Sequence, residues 1–302
     1  MALKDIKAKI GATNRMHKVT RAMEAVSAVK MRKTQATALS GRPYARAALS
    51  ILARLSGSGA LSRHPLMTAR EIRSVALVIL TSDKGLAGAL NSGVIKAASA
   101  ALIPYTKEQV TVYAYGKKGE EFFSRRGYRI AASYENKRDD VPLSVMEELS
   151  SDLSREFLKG TFDEVICVYS NFKSTFEQTP TTRTLLPLSL AKVASLVEDI
   201  RPIKGKWSTE VALSAPAAYT VEPSEDGVLD ILIPRLTAVS LYHMLLESKA
   251  SEHSARMVAM KNASDKSKEV TRDLTRRFNK VRQASITREV SEIVGGREAL
   301  AD

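Results

Sequence analysis

The chain has 302 residues, of which 44% are hydrophobic, 26% charged and 6% aromatic, a globular composition that excludes low-complexity and collagen-like classes. Its one cysteine excludes an internal disulfide framework, and no stretch approaches the roughly 20 uninterrupted apolar residues of a membrane-spanning helix. The net charge of +13 suggests a nucleic-acid partner, but residues 1–57 alone hold 12 Lys/Arg against 2 Asp/Glu, a net +10, so the excess is concentrated in the first segment.

The first predicted element is a long N-terminal helix. No Gly or Pro occurs between Ala12 and Ser40, and apolar or small residues recur every three or four positions. This spacing is close to the 3.5-residue repeat of a coiled-coil seam, which would consist of Leu3, Ile6, Ile10, Thr13, Met16, Thr20 and Met23. Residues 1–57 are therefore predicted to form one arm of a coiled coil. The segment lacks the apolar core of a signal peptide, so we expect a native helix.

Strands and helices alternate in the middle of the chain, over residues 73–212. Short β-branched runs predict strands at Ser74–Thr81, Gln109–Gly116, Tyr128–Ser133 and Asp163–Ser170, with a possible edge strand at Thr181–Leu188. Helical stretches follow the first, second and third of these runs. The alternation predicts a Rossmann-like α/β domain with a largely parallel sheet.

The last predicted element is a helix too long for a compact domain. From Arg235 to Val294 there are 60 residues without Gly or Pro, which as a helix would span about 90 Å. Such a helix needs a partner of similar length to cover one face. We therefore expect residues 225–296 to pair with residues 1–57 as an antiparallel two-helix coiled coil.

The residue types that carry chemistry do not form a recognisable catalytic, cofactor-binding or metal site. The glycine-rich turn Thr81–Asn91 has neither the G-x-G-x-x-G spacing of dinucleotide sites nor the Gly-Lys-Ser/Thr ending of a phosphate loop. A tight β–α turn is the better interpretation, with Asp83 and Lys84 as turn and helix-start residues. Cys167 lies in an apolar run and is expected to be buried. The four histidines lack metal-ligand spacing; they are His17, His64, His243 and His253.

Three sequence blocks carry a resemblance to a known family. They are KVTRAMEAVSAVKMRKTQ at Lys18–Gln35, TSDKGLAGALN at Thr81–Asn91, and ASEHSARMVAMKNAS at Ala250–Ser264 followed by FNKVRQASITREVSEIVGG at Phe278–Gly296. In order, spacing and position the chain resembles the gamma subunits of F-type ATP synthases over essentially its whole length. The last block is the most specific because of its length.

The chain departs from the family pattern in two places. Ala87 and Ala89 stand where Cys and Gly are common in the family, within a turn that belongs to the accessory domain. With Cys167 alone, the chain also lacks the cysteine pair inserted in chloroplast members, so thiol regulation is not implied. No transit peptide precedes the first helix, which favours a bacterial member.

The resemblance implies a rotor shaft that is not itself an enzyme. In the family, the paired terminal helices enter a ring of three alpha and three beta subunits, and the α/β domain and lower shaft rest on the membrane ring of c subunits beside the epsilon subunit. Proton flow turns this ring and the shaft, while ATP is made or hydrolysed on beta. The implied location is peripheral, on the cytoplasmic face of the bacterial inner membrane. No cofactor, nucleic acid or membrane span of its own is implied.

The resemblance also assigns contact residues. Those matching positions that touch the beta subunits are Met23, Arg256, Arg282, Gln283 and Thr287. Within this set, Arg282 and Gln283 match a catch that forms and breaks during rotation. Tyr219 and Glu222 match the foot that touches the rotor ring, although the stretch just before them looks like an insertion.

Two other classes of function stay open on the sequence. A basic coiled-coil nucleic-acid-binding or structural protein would show salt-sensitive retention of DNA or RNA. An enzyme acting through the α/β domain would bind a small molecule at the turn Thr81–Asn91.

Overall fold

The computed structural model of the chain describes residues 3–41, 60–189 and 224–298, together with positions 44, 47, 48, 51, 191 and 222. The chain divides into two compact units. The first, the helical unit, is Met1–Ser27 with Arg256–Asp302, and the second, the α/β unit, is Ala28–Ala255. The predicted division at 1–57, 73–212 and 225–296 stays a prediction.

The order of elements confirms the predicted fold class, with a long helix near each end and alternating strands and helices between them. The helices are α1 (Leu3–Ser40), α2 (Ala60–Arg63), α3 (Leu90–Ala101), α4 (Lys117–Ser124), α5 (Leu143–Lys159) and α6 (Glu225–Glu298). One turn of 3₁₀ helix lies at Lys107–Gln109. The strands are β1 (Val75–Leu80), β2 (Val110–Tyr115), β3 (Arg129–Tyr134), β4 (Glu164–Ser174) and β5 (Glu177–Leu186).

The five strands form one mixed sheet in the order β3-β2-β1-β4-β5. The first four are parallel, in agreement with the predicted largely parallel sheet, and β5 lies at the predicted edge, where it runs antiparallel to β4. β4 and β5 form a longer hairpin than expected, because β4 continues to Ser174 and β5 already begins at Glu177. Pro180 lies in this extension, where an edge strand tolerates a residue without an N–H donor.

β1 lies at the centre of the sheet, and its side chains alternate between two apolar layers. Val75, Leu77 and Ile79 pack with the layer that includes α3 and α4, whereas Ala76, Val78 and Leu80 pack with the layer that includes α5 and the first part of α6. All six residues are fully buried. A strand covered on both faces explains the continuous apolar run of this segment.

Within the helical unit, the parts of α1 and α6 pack side by side through a seam of small and polar residues. His17 Nδ1 lies 3.1 Å from the carbonyl oxygen of Ser264 and 3.0 Å from its hydroxyl. Ile6 and Thr20 are buried, as predicted, but Met16 is 58% exposed and Met23 is only half-buried. The predicted seam was therefore wrong at Met16. A spacing of three or four residues places either Met16 or His17 on the face toward α6, and in the structure it is His17.

Among the described helices, α6 alone contains an 18-residue window that is apolar enough to cross a membrane, with a mean hydropathy of 1.4. Slightly more than half of that window, 56%, is buried inside the protein. A buried core helix passes the same test, so the window is weak evidence for a span.

Candidate functional site

α1 presents an apolar stripe outward, on the side that does not face α6. Met16, Val19 and Val26 are each more than half exposed, and the half-buried Met23 lies between them at helical spacing. The stripe is flanked by exposed basic side chains, namely Arg15, Lys18 and Arg21. Apolar stripes of this kind mark protein–protein contacts in general, and a positive border is complementary to acidic groups.

The end of α6 carries a second apolar surface. If the pairing at His17 and Ser264 continues in step, Leu3 faces about residue 278, so the rest of α6 runs past the first described residue of α1. We call the exposed apolar side chains of this last stretch the apolar tip; they are Val281, Ile286, Val290, Ile293 and Val294. Ile286, Val290 and Ile293 follow one another at steps of four and three, so they lie on one face of the helix.

The predicted beta-contact residues of α6 fall into two environments. Arg282, Gln283 and Thr287 are exposed in the same stretch as the apolar tip. Arg256 is only 9% exposed and interacts within its own chain, so a partner would reach only a small remainder of its side chain. These assignments stay predictions.

The predicted foot is described only in part. Glu222 is exposed in a bend shortly before α6 begins, whereas Tyr219 lies outside the described residues. Because it is exposed, the side chain of Glu222 is accessible to a partner.

The carboxyl ends of β1 and β4 form the place where an open α/β sheet usually binds its ligand, because the strand order reverses there. Here α6 occupies that place. The hydroxyl of Ser251 donates to the carbonyl of Ser170 at 3.0 Å, and the hydroxyl of Ser254 donates to the carbonyl of Thr175 at 2.7 Å. Glu247 accepts a bond from the backbone N–H of Phe172 at 3.2 Å. The chain's own helix thus fills the crevice with polar bonds.

The glycine-rich turn is closed by bonds within the chain. Asn91 accepts from the N–H of Ser82 at 3.0 Å and donates to its hydroxyl at 2.7 Å, and that hydroxyl donates to the carbonyl of Lys84. Asp83 does more than the sequence suggested, since one carboxylate oxygen accepts from the N–H of Lys117 and the other from the N–H of Asn136, each at 2.9 Å. The carboxylate links the loop after β1, the start of α4 and the loop after β3.

Sequence reasoning missed the polar residues by which α6 crosses this edge. Their signal is the run ESKASEHS at Glu247–Ser254, eight residues without a large apolar side chain inside an otherwise periodic helix. Seven of the eight positions are buried polar residues, and Ala250 is the eighth. A polar run within a core helix therefore marked a buried junction.

The remaining candidate chemistry has a structural explanation. Burial raises the pKa of the Cys167 thiol strongly, so this side chain is not a nucleophile at neutral pH. In the part of the chain that the structure describes, no three His, Cys, Asp or Glu side chains converge on a possible metal position.

Comparison with known proteins identifies the relatives of this chain. The family model described as ATP synthase matches residues 2–300. The chain is 36% identical to the ATP synthase gamma chain of Heliobacterium modesticaldum over 298 residues, covering 99% of each protein. It is 40% identical to the ATP synthase gamma chain of Roseiflexus castenholzii over 304 residues, covering 99% of this chain and 98% of the relative.

Solved structures share the fold. A chain from the Euglena gracilis mitochondrial ATP synthase, in an assembly of OSCP, F1 and c-ring, aligns with a TM-score of 0.63 at 17% identity, covering 99% of this chain and 94% of that one. A chain from the central stalk and c-ring of Tetrahymena thermophila mitochondrial ATP synthase aligns with a TM-score of 0.58 at 24% identity, covering 82% and 99%. At these identities the likeness concerns the fold.

Proposed function

The chain belongs to the family of ATP synthase gamma chains, and from that premise we propose that it is the central-stalk rotor shaft of an F-type ATP synthase. In this role the paired terminal helices turn inside a ring of three alpha and three beta subunits. The shaft couples proton flow through the membrane c-ring to ATP synthesis or hydrolysis on the beta subunits. The epsilon subunit is the further partner at the α/β domain.

The observation that carries the proposal is the apolar tip. Its side chains would be costly to leave in water, and Ile293 is 71% exposed near the end of α6. Surfaces of this kind mark protein–protein contacts. A single helix with apolar residues on more than one side fits a partner that surrounds it, such as the opening of a ring.

The α1 stripe supplies the second contact. Met23 lies within it, between Met16 and Val26, and the basic side chains around it complement acidic loops of the beta subunits. On α6 we assign the beta contacts to Arg282, Gln283 and Thr287, with a smaller one at Arg256. Arg282 and Gln283 form the catch that makes and breaks its bonds as the shaft turns.

Rotation works on the beta subunits because the shaft is not symmetric. The apolar stripe follows one side of α1, so the three beta subunits meet different surfaces at any moment. A ligand equilibrium shifts only by the difference in interaction between two states. The shaft therefore sets three different nucleotide affinities, and it needs no catalytic residue of its own.

At the other end, Tyr219 and Glu222 form the foot on the polar loops of the c-ring. This places the chain at the cytoplasmic face of the bacterial inner membrane as a peripheral subunit. No part of the chain needs to span the membrane in this arrangement, because torque passes through contacts with the ring.

Co-purification tests the assignment. The tagged chain, expressed with alpha and beta subunits of the same source, is expected to recover them at three each per copy and to gain ATPase activity. The chain purified alone is expected to hydrolyse no ATP. Hydrolysis by the clean monomer, or failure to retain alpha and beta subunits, would contradict the proposal.

A further inference from the structure

The α/β unit contains a network of charged and polar side chains that ties two long helices to its sheet. We call this network the edge junction; its members are Lys30 of α1, Lys249 and His253 of α6, and Asn136 and Asp139 of the loop after β3. Four of the five are at least two-thirds buried in side-chain terms, and Lys249 is only 2% exposed. Charged groups are rarely buried to this degree unless they are paired.

Asp139 connects both helices to one loop. Its carboxylate oxygens lie 2.7 Å from Nζ of Lys30 and 3.1 Å from Nε2 of His253. Burial alone would raise the pKa of Asp139, but the hydrogen bond from Lys30 and the charges of His253 and Lys249 outweigh it, so the pKa is lowered. The carboxylate is thus held in its charged form between α1 and α6.

Lys249 forms the second connection. Its ammonium group donates to the side-chain oxygen of Asn136 and to the carbonyl of Arg138. Burial lowers the pKa of Lys249, and the nearby carboxylates of Glu252, Asp139 and Asp83 oppose that effect. α6 therefore holds the ammonium group of Lys249 against the loop at a cost in desolvation. An apolar side chain packed at this position would not incur that cost.

The network continues from the loop into the centre of the sheet. Asn136 donates through its side-chain amide to the carbonyl of Thr81 at 2.7 Å, directly after β1, and its backbone N–H donates to Asp83 at 2.9 Å. A continuous set of hydrogen bonds thus runs from α6 through the loop to the central strand. Hydrogen bonds of this kind are directional, whereas apolar packing is not.

From this arrangement we propose that the edge junction is a torsional lock, through which the α/β domain turns together with the two helices. The proposal rests on the rotor-shaft function. A torque about a helix axis tends to slide packed surfaces past each other, and apolar contacts, which have no preferred direction, do not tie particular atoms together. Buried charge-assisted bonds at fixed points resist it, because rotation would separate the paired groups in a low-dielectric environment. Asp139 and Lys249 are positioning residues in this account.

The test measures the torsional stiffness of the assembled complex. A probe is attached to the α/β domain through Ile103→Cys, a position that is 81% exposed, while the native Cys167 is buried and does not react. With the ring of alpha and beta subunits immobilised, the angular variance of the probe is recorded at a rotary dwell. The variants are Asp139→Asn, Lys249→Met and Lys30→Met. Asp152→Asn removes an exposed ion pair with Arg155 on α5 and is the matched control.

We expect about a twofold or larger increase in angular variance for Asp139→Asn, because it removes one of two connections and also weakens the Lys249 connection that is electrostatically coupled to it. Lys30→Met, at a partly exposed position, removes only the α1 arm and should give a smaller increase, and Asp152→Asn none. Unchanged variance in Asp139→Asn and Lys249→Met would overturn the proposal, even if their melting temperatures fell. Failure of the unmutated probe complex to rotate on addition of ATP would instead overturn the rotor-shaft function.

Discussion

Replacing Ile286, Val290 and Ile293 with alanine removes the main face of the apolar tip while keeping residues that favour a helix. These side chains are 52%, 53% and 71% exposed in the free chain. Full burial of a Val or Ile side chain is worth about 1.5–3 kcal/mol, so covering the exposed parts contributes about 1 kcal/mol each. The triple variant should then bind a ring of alpha and beta subunits about 3 kcal/mol more weakly, or roughly 100-fold.

The assay is the dissociation of the labelled chain from a reconstituted ring of alpha and beta subunits, because most affinity differences of this kind appear in the off-rate. Thermal unfolding of the free chain should stay nearly unchanged, since the substituted side chains are already exposed. Glu292→Ala, in the same stretch of α6 and exposed like its neighbour Arg288, serves as the control. Equal off-rates for the triple variant and the unmutated chain would refute the assignment of the tip to the ring.

Three further predictions follow from other parts of the chain. Met23→Lys adds a positive charge to the α1 stripe, for which we propose a contact with acidic beta loops, so it should lower ATP-driven proton pumping per ATP hydrolysed; an unchanged ratio would count against that contact. Gly116→Ala should destabilise the chain by about 2–4 kcal/mol in urea unfolding, because φ is +103° and a Cβ would lie 2.0 Å from the carbonyl oxygen of Thr81. The control is Gly127→Ala, which is also at positive φ but in open space and should cost about 1 kcal/mol. Equal losses of stability in the two variants would contradict the steric argument. Asp163→Asn should cost about 1–3 kcal/mol at pH 7. Burial opposes ionisation of Asp163, but the backbone N–H groups beside it and Arg70 outweigh burial and lower its pKa. The contribution of Asp163 to the free energy of unfolding is therefore complete above the ordinary pKa of about 3.9 and is lost as the pH falls through the lowered pKa. A stability difference between Asp163→Asn and the unmutated chain that is as large at pH 2 as at pH 7 would contradict this cause.

Much of the fold follows from local features of the sequence. The two long helices follow from stretches without Gly or Pro, and four strands follow from β-branched runs that lie within a few residues of the observed ends. The edge strand was predicted four residues late, because Pro180 and the polar residues around it conceal a strand whose partner is on one side only.

The inner face of α1 was harder to predict. Met16 is the more hydrophobic residue, yet His17 faces α6 because the hydroxyl and carbonyl of Ser264 offer it partners. Hydrophobicity alone cannot choose between adjacent positions when the seam is built from small and polar groups. The partner residue is 247 positions away, and only the folded chain brings the two together.

The edge junction shows the same limit more strongly. The polar run Glu247–Ser254 indicates that something other than apolar packing occurs there, but nothing local indicates that Lys249 contacts a loop 111 residues earlier. The contact residues at the tip, in contrast, were assigned by resemblance to a family, and the structure contributes their exposure. The sequence pattern does not show which residues far apart in the chain come into contact, or how strongly they interact.

Rotation of the shaft is the most direct test of the central claim. In a complex immobilised through its ring of alpha and beta subunits, a probe on Ile103→Cys is followed by microscopy after ATP is added. The expected result is rotation in one direction with three dwells per turn, one for each beta subunit. A probe that stays fixed or moves at random, in a complex that hydrolyses ATP, would contradict the assignment of this chain as the rotor shaft.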